Sequence, residues 1–363
     1  MISALGLHRS STRTRALSND NIDHITLQCQ PRTFWAAYTM ETYLCIVLGR
    51  PKHYNDDDID QNFPDPIVDE ALAASGHTRD IEEDSPVDGL IWHAKLAQII
   101  SSTSREVYTI KRTTTSTRPS AIYRLGAELK HWRHDLPPHL GKIKASSLVP
   151  TLKRQSLALR LAYCHAQMHT HRAILVETHG PTTDSRQMQD SVDECLKGAE
   201  TAMETVETMV KDGALSYSLW WSQYVLFCAL SVAFVFAIQL KKGTWVNQDR
   251  QFHGLLDLAN RCKTLLWDNN FAGARYTATL DELMKEAQQM SSIANSGGHG
   301  DTRPSMTALT FGSTAHHDGI PHQATSYAEA DVLGQEAYPD LFDDWDPSDW
   351  LDLDASAYNT FFE

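Results

Sequence analysis

The run Asp56-Asp57-Asp58-Ile59-Asp60 places four carboxylates where a divalent cation could be held. Hard cations take oxygen ligands at fixed intervals, so the spacing can be tested against known loops. As a calcium loop, Asp56, Asp58 and Asp60 fill positions one, three and five. Gln61 then stands at the sharp-turn glycine, and Ile67 where a bidentate glutamate is needed. That loop fails. Asp56-Asp57-x-x-Asp60 also fits the aspartate-rich cluster with which class I terpene synthases hold magnesium and diphosphate. The best second motif, Asp193-Glu194 to Glu200, lacks the first polar ligand and the intervening hydroxyl. The run also follows a Gly49-Arg50-Pro51 helix stop, which puts it in a loop and predicts a solvated turn.

His165, His169 and His171 are the second cluster with ligand spacing, His165 and His169 sharing a helical face. No Glu follows His165, so the zinc-protease pattern is absent, and these residues are expected as surface or half-buried hydrogen-bonding groups. The six cysteines, at 29, 45, 164, 195, 228 and 262, form no Cys-x-x-Cys pair and read as reduced core thiols. There is no Gly-x-Ser-x-Gly elbow and no Walker loop, and Gly297-Gly298-His299-Gly300 neither follows a strand nor opens a helix. The sequence therefore predicts no catalytic site, no metal site and no cofactor in this chain.

The elements that carry these residues are helical. From Arg32, Phe34, Trp35, Tyr38, Leu44, Val47 and Leu48 recur near the 3.6-residue period. The first thirty residues read as loop, and so does the polar stretch from Lys52 to Asp84. Ser85-Pro86 opens a second helix as N-cap and first residue. Further periodic runs cover Pro119–Trp132, Leu152–Val176, Val192–Val210, Asn247–Trp267 and Ala274–Met290. Nothing alternates at period two for long, which predicts an all-α fold. Between Asp212 and Lys241 no residue is charged. That segment is long enough to span a membrane, but its flanks are amphipathic helices that need a central partner, so it is expected in the core.

The chain has 363 residues and a net charge of −14, which argues against direct binding to nucleic acid by the chain as a whole. Residues 291–330 read as a flexible linker rich in Gly, Ser, Thr and His. Residues 331–363 contain no Lys or Arg and interleave acids with Leu341, Phe342, Trp345, Trp350 and Leu351. Like charges keep such a segment open, and a short helix formed on contact would present Leu341, Phe342 and Trp345 to a groove. The composition predicts an activation segment that recruits transcriptional coactivators.

The segment Phe34-Trp35-Ala36-Ala37-Tyr38, then Leu48-Gly49-Arg50-Pro51, Asp58-Ile59-Asp60 and Pro64, resembles the signature of the fungal-specific transcription factor domain. This is the middle homology region of zinc binuclear-cluster regulators. Gly6-Leu7-His8-Arg9, Leu129-Lys130-His131-Trp132 with Leu136-Pro137, and His171-Arg172 are similar to further motifs of that family, in the same order. Glu41, Phe63 and Ala173 depart from its usual residues. The resemblance covers roughly residues 5–285. It implies a regulatory domain spanning residues 31–290, after a loop-rich remnant at 1–30, in a nuclear protein. It further implies control by a small-molecule or protein signal, dimer contacts such as a homodimer, and no membrane role. The family's zinc cluster is not in this sequence, and Met1 just before Gly6 reads as a truncation. Zinc is expected only in that cluster, and DNA contact only through it or through a dimer partner. Two alternatives stand beside this reading: a relative that sequesters partners without binding DNA, and a terpene-synthase-like helical enzyme.

Overall fold

The computed structural model describes residues 2–10, 24–67, 85–109, 117–176, 185–212, 220–241, 249–268 and 278–287. Among these residues every regular element is a helix, as the sequence predicts. Eight longer helices are α1 (His24–Val47), α2 (Pro86–Glu106), α3 (Thr117–His134), α4 (Pro150–His171), α5 (Ser185–Lys211), α6 (Trp220–Lys241), α7 (Asp249–Asp268) and α8 (278–287). Single helical turns at Pro138–Gly141 and Ala173–Val176 flank α4.

The helix ends follow chain chemistry. Ser85 sits in extended conformation, and its hydroxyl accepts from the Val87 amide at 3.2 Å, capping α2 with Pro86 at the first helical position. At the end of α1, Gly49 adopts φ 58°. The Gly49 amide donates to the Ile46 carbonyl and the Arg50 amide to the Cys45 carbonyl, at 3.3 and 2.9 Å. This pair of bonds satisfies carbonyls that the helix itself leaves open, and it needs a left-handed residue at Gly49.

One expected boundary is corrected. Residues 24–30 are helical, not loop, because α1 begins at His24 and runs through Pro31. The early turns are held from outside: Gln28 exchanges hydrogen bonds with the Asp65 side chain and amide, and the Arg32 guanidinium donates to the Ile67 carbonyl. A proline disturbs only the local hydrogen-bond ladder, and these anchors outweigh it. Residues 2–10 also form turns that are seated on the loop 52–67.

Helices α4, α5 and α6 are mutually packed at the centre, with α2 and α3 against α4, α1 against α2, and α7 against α5 and α6. The amphipathic α5 turns Val192, Cys195, Ala199, Ala202, Met203 and Val206 inward. The uncharged α6 is buried on all sides from Tyr224 to Ile238, as expected for a core helix. Its length and composition would suit a membrane span, but its apolar surface is already covered by protein. Its polar groups are handled locally; the buried Ser231 hydroxyl donates to the Phe227 carbonyl one turn back, at 2.9 Å. Four of the six thiols, Cys164, Cys195, Cys228 and Cys262, are buried, whereas Cys29 is exposed, contrary to the core reading. The expected linker 291–330 and tail 331–363 lie outside the described residues.

Replacing Gly49 by Ala forces a Cβ into the left-handed region, and about 1 kcal/mol of stability is the expected loss. Thermal unfolding followed by circular dichroism should show a midpoint lowered by roughly 2–4 °C.

Candidate functional site

Helical spacing on α1 turns Phe34, Trp35 and Tyr38 inward together, and all three are buried. The loop 52–67 folds over them. Trp35 stacks on Phe63 with ring centroids 4.4 Å apart, and its indole N–H donates to the Asn62 carbonyl at 2.9 Å. Phe34 meets Tyr54 edge-on at 5.5 Å. The segment Gly6-Leu7-His8-Arg9 is laid along the same loop. Gln61 Nε2 donates to the carbonyls of Leu7 and Arg9, the His8 carbonyl accepts from the Asp60 and Gln61 amides, and the Asp60 carboxylate accepts from the Ser10 amide. The separate motifs of the sequence thus become one assembly. Pro64 is buried within it, while Arg50, Pro51 and Asp58 are exposed at its edge.

Asp56 stands at the centre of this assembly. Its Oδ1 accepts from the Tyr38 hydroxyl and, at 3.4 Å, from the Lys52 ammonium. Its Oδ2 accepts from the Ser101 hydroxyl at 2.8 Å, with the Arg105 guanidinium 3.6 Å away. Lys52 also donates to Ser101 Oγ at 3.0 Å and lies 4.0 Å above the Tyr38 ring. Burial by itself would raise the Asp56 pKa. The Tyr38 hydrogen bond, the Lys52 charge and the Ser101 hydroxyl outweigh it and hold the carboxyl below its ordinary value. Burial pulls the Lys52 ammonium down, with Asp56 partly offsetting it. Asp57 and Asp58 occupy the solvated turn that the sequence predicts, but Asp56 does not: it joins α1, the loop and α2. With both oxygens committed to protein donors, it is built as an anchor rather than a cation ligand.

A second polar system runs through the core. From Leu161 to His171 every residue of α4 is buried, because four long helices surround it. His165, His169 and His171 are therefore in the interior, which corrects the expectation of surface or half-buried side chains. The rings form a ladder. Tyr108 stacks on His169 at 4.4 Å, His169 on His165 at 5.7 Å, and His165 and Trp221 meet in a T-shaped contact at 5.0 Å. Trp221 then stacks on Tyr43 at 4.5 Å, and the Tyr43 hydroxyl is 2.9 Å from His93 Nδ1. At the far end, the Arg172 guanidinium donates to the Tyr108 hydroxyl, which itself donates to the His169 carbonyl at 2.6 Å. Burial pulls the His93 and His171 pKa values down to about 4 and His169 well below its ordinary value. Burial also pushes the Cys164, Cys195 and Cys262 thiols up to about 12. Neutral imidazoles and protonated thiols in a packed interior support structure, not acid–base or nucleophilic chemistry. Among the described residues no group of three or more His, Cys, Asp or Glu converges as a metal site.

Motifs further along the chain serve packing as well. Trp132 stacks on Tyr163 at 5.6 Å and donates to the Trp92 carbonyl at 3.2 Å. His171 lies so close to α3 that a Cβ on Gly126 would fall 2.8 Å from its Cε1. Sequence reasoning missed Lys52, Ser101 and Arg105 as partners of Asp56, since they come from two elements and no local pattern joins them. The tail anchors Leu341, Phe342, Trp345, Trp350 and Leu351 lie outside the described residues.

A family model described as the fungal specific transcription factor domain matches residues 1–134. The chain is similar to Activator of stress genes 1 of Saccharomyces cerevisiae, with 24% identity over 77% of this chain and 29% of that protein. It is similar to Activator of stress genes protein 1 of Candida albicans, with 26% identity over 62% of this chain and 25% of the relative. A third relative is Transcriptional activator protein acu-15 of Neurospora crassa, 23% identical over 68% of this chain and 26% of its own length. The chain thus spans less than a third of the length of these curated relatives. No solved structure matches it.

Two outcomes follow from the electrostatics. Asp56→Asn leaves Lys52 and Ser101 short of an acceptor, so a loss of about 2–3 kcal/mol is expected at neutral pH. The folded carboxyl titrates below its ordinary value of 3.8, so its contribution is present above that value and fades as pH falls further. Urea titrations at pH 7 and pH 3 should show the gap between wild type and variant narrowing at the lower pH. His93, His169 and His171 act in a separate window. Their folded values lie below 6.5, so stability is full above that pH and declines towards about 4, where His171 and His93 titrate. Each group contributes a slope of about 1.4 kcal/mol per pH unit there. His171→Gln should flatten that part of the pH–stability curve measured by denaturant unfolding.

Proposed function

We propose, from the premise that residues 1–134 carry the fungal specific transcription factor domain, that this chain is the control body and activation tail of a nuclear transcriptional regulator. The match to that domain is the observation that carries the reading. The names of the relatives support it: two are called activators of stress genes and one a transcriptional activator. The geometry is compatible with a non-catalytic role, since the carboxylate, imidazole and thiol groups described above are held by partners or by burial. DNA contact is assigned to a zinc cluster outside this sequence or to a dimer partner, because a chain of net charge −14 is repelled by phosphates.

The output is assigned to residues 331–363. Acids in that segment are interleaved with Phe342, Trp345 and Trp350, the composition a coactivator groove would take up. Large aromatic groups dominate such contacts, each contributing on the order of 2 kcal/mol when it fills a pocket. The helical body supplies control, receiving a small-molecule or protein signal.

The test fuses residues 331–363 to a heterologous DNA-binding domain upstream of a reporter. The intact tail should activate, and a Phe342→Ala, Trp345→Ala, Trp350→Ala version should lose roughly tenfold or more. An inert wild-type tail, or a triple variant with full activity, would move the chain to partner sequestration instead.

A further inference from the structure

Between Asp135 and Glu177 the sequence contains no Asp or Glu and six Lys or Arg, in a chain whose net charge is −14. Among the six, Lys142, Lys144 and Arg154 are exposed, and no described residue forms an ion pair with them. They lie in one short stretch, from the end of the Pro138–Gly141 turn through a single turn at Ala145–Ser147 to the first turn of α4. Backbone bonds fold the stretch into one surface. The Lys142 and Ile143 amides both donate to the Pro138 carbonyl, and the Ser147 and Leu148 amides donate back to Lys144 and Ala145. Two carboxylates reach this surface from other elements, and both are engaged there. Asp212, just past α5, accepts from Lys153 at 2.9 Å, and Asp88 of α2 lies 3.4 Å from the buried His139.

Apolar groups stand among these cations. Ile143 and Val149 expose 42% and 60% of their surface, two of the six large apolar side chains so exposed among the described residues. Cations interleaved with apolar groups complement acids interleaved with apolar groups, and residues 331–363 have that second pattern. Asp340-Leu341-Phe342-Asp343-Asp344-Trp345-Asp346 is followed by Asp349-Trp350-Leu351-Asp352, and the segment holds ten Asp or Glu in all. Duplex DNA suits the surface less well. Its phosphates would meet the cations, but Ile143 and Val149 would gain nothing, and the remainder of the chain repels a polyanion.

We infer that the surface of residues 142–154 is a docking site for the chain's own acidic segment. Carboxylates of residues 340–354 lie against Lys142, Lys144 and Arg154, and the interleaved Leu, Phe and Trp groups cover Ile143 and Val149. The tether has the length for it. As a free coil, the sequence between residues 287 and 331 spans about 36 Å, against a radius of gyration of about 19 Å for a body the size of residues 1–290. Exposed ion pairs are individually weak, but a tether of this kind supplies an effective concentration on the order of 1 mM. A contact with a free affinity of only about 0.1 mM would then be roughly nine-tenths occupied. The contact holds whether or not the segment activates transcription, and its test reads contact alone, so it fails or stands independently of the reporter assay.

Carbodiimide cross-linking of the full chain, which joins a lysine amine to a carboxylate it touches, tests the contact when read by mass spectrometry. Lys142 and Lys144 should link to the acids of residues 340–354, and in a mixture of heavy-isotope and ordinary chain the links should stay within one chain. Their yield should fall several-fold between about 0.05 and 0.5 M salt, a measurement that needs no variant. Arg154→Glu with Val149→Ser keeps both reporter lysines and should lower the yield roughly fivefold. A serine N-cap and an acid in the first turn both favour α4, so the circular dichroism spectrum should be unchanged. No link from Lys142 or Lys144 to the acidic segment would overturn the proposal, as would links found only between chains. So would a yield indifferent to salt or to the double variant, or one matched at Lys197, an exposed amine on α5. A random DNA duplex that the wild-type chain retards in a gel, and Lys142→Glu with Lys144→Glu does not, would give the surface to nucleic acid instead.

Discussion

A carboxylate drawn partly out of water must find compensating donors, and around Asp56 that requirement organises the N-terminal half of the molecule. Tyr38 reaches it from α1, Lys52 from the loop, and Ser101 and Arg105 from α2. These groups are separated in sequence, so the carboxylate can be satisfied in only one arrangement of the three elements. Aromatic burial around Trp35 and Phe63 supplies bulk stabilisation, but it tolerates sliding; directional bonds to a charge do not. The polar anchor therefore sets position, while the rings beside it supply much of the energy.

The ring ladder has a comparable part in the interior. The buried apolar residues fall into two clusters, one around Phe34, Trp35 and Tyr38 and one around α5 and α6. Tyr43 belongs to the first, and Trp221, His165 and His169 continue from it towards Tyr108 beside the second. A seam of stacked and hydrogen-bonded rings thus runs along the border of two greasy regions. The polar content of α4 from Leu161 to His171 is at odds with its burial, and its position between the clusters accounts for it. At this border α4 bonds to α2 through Thr170 and His169 and meets α6 through His165 and Trp221.

Much of this was legible from residue order alone. Periodicity located the helices, Ser85-Pro86 marked a start and Gly49 a stop, and the absence of charge between Asp212 and Lys241 marked a core helix. What stayed hidden has physical reasons. Residues 24–30 read as loop because their apolar periodicity is weak and a local rule cannot register anchors contributed by Asp65 and Ile67. Asp56 read as solvated because its neighbours Asp57 and Asp58 are, and nothing local distinguishes the one carboxylate that meets distant donors. His165, His169 and His171 read as surface or half-buried groups because polarity predicts exposure unless tertiary neighbours saturate it.

The order of the helices along the chain matters for α6. A ribosome delivers α4 and α5 before the uncharged segment, so two walls of its seat exist by the time it emerges, and α7 arrives later to pack against a further side. A nascent polypeptide with such a greasy stretch runs the hazard of capture by other chains or by lipid, and this gene order shortens the interval of risk. Deleting the region upstream of α6 would do more than remove residues: it would release a water-averse rod with nowhere to go.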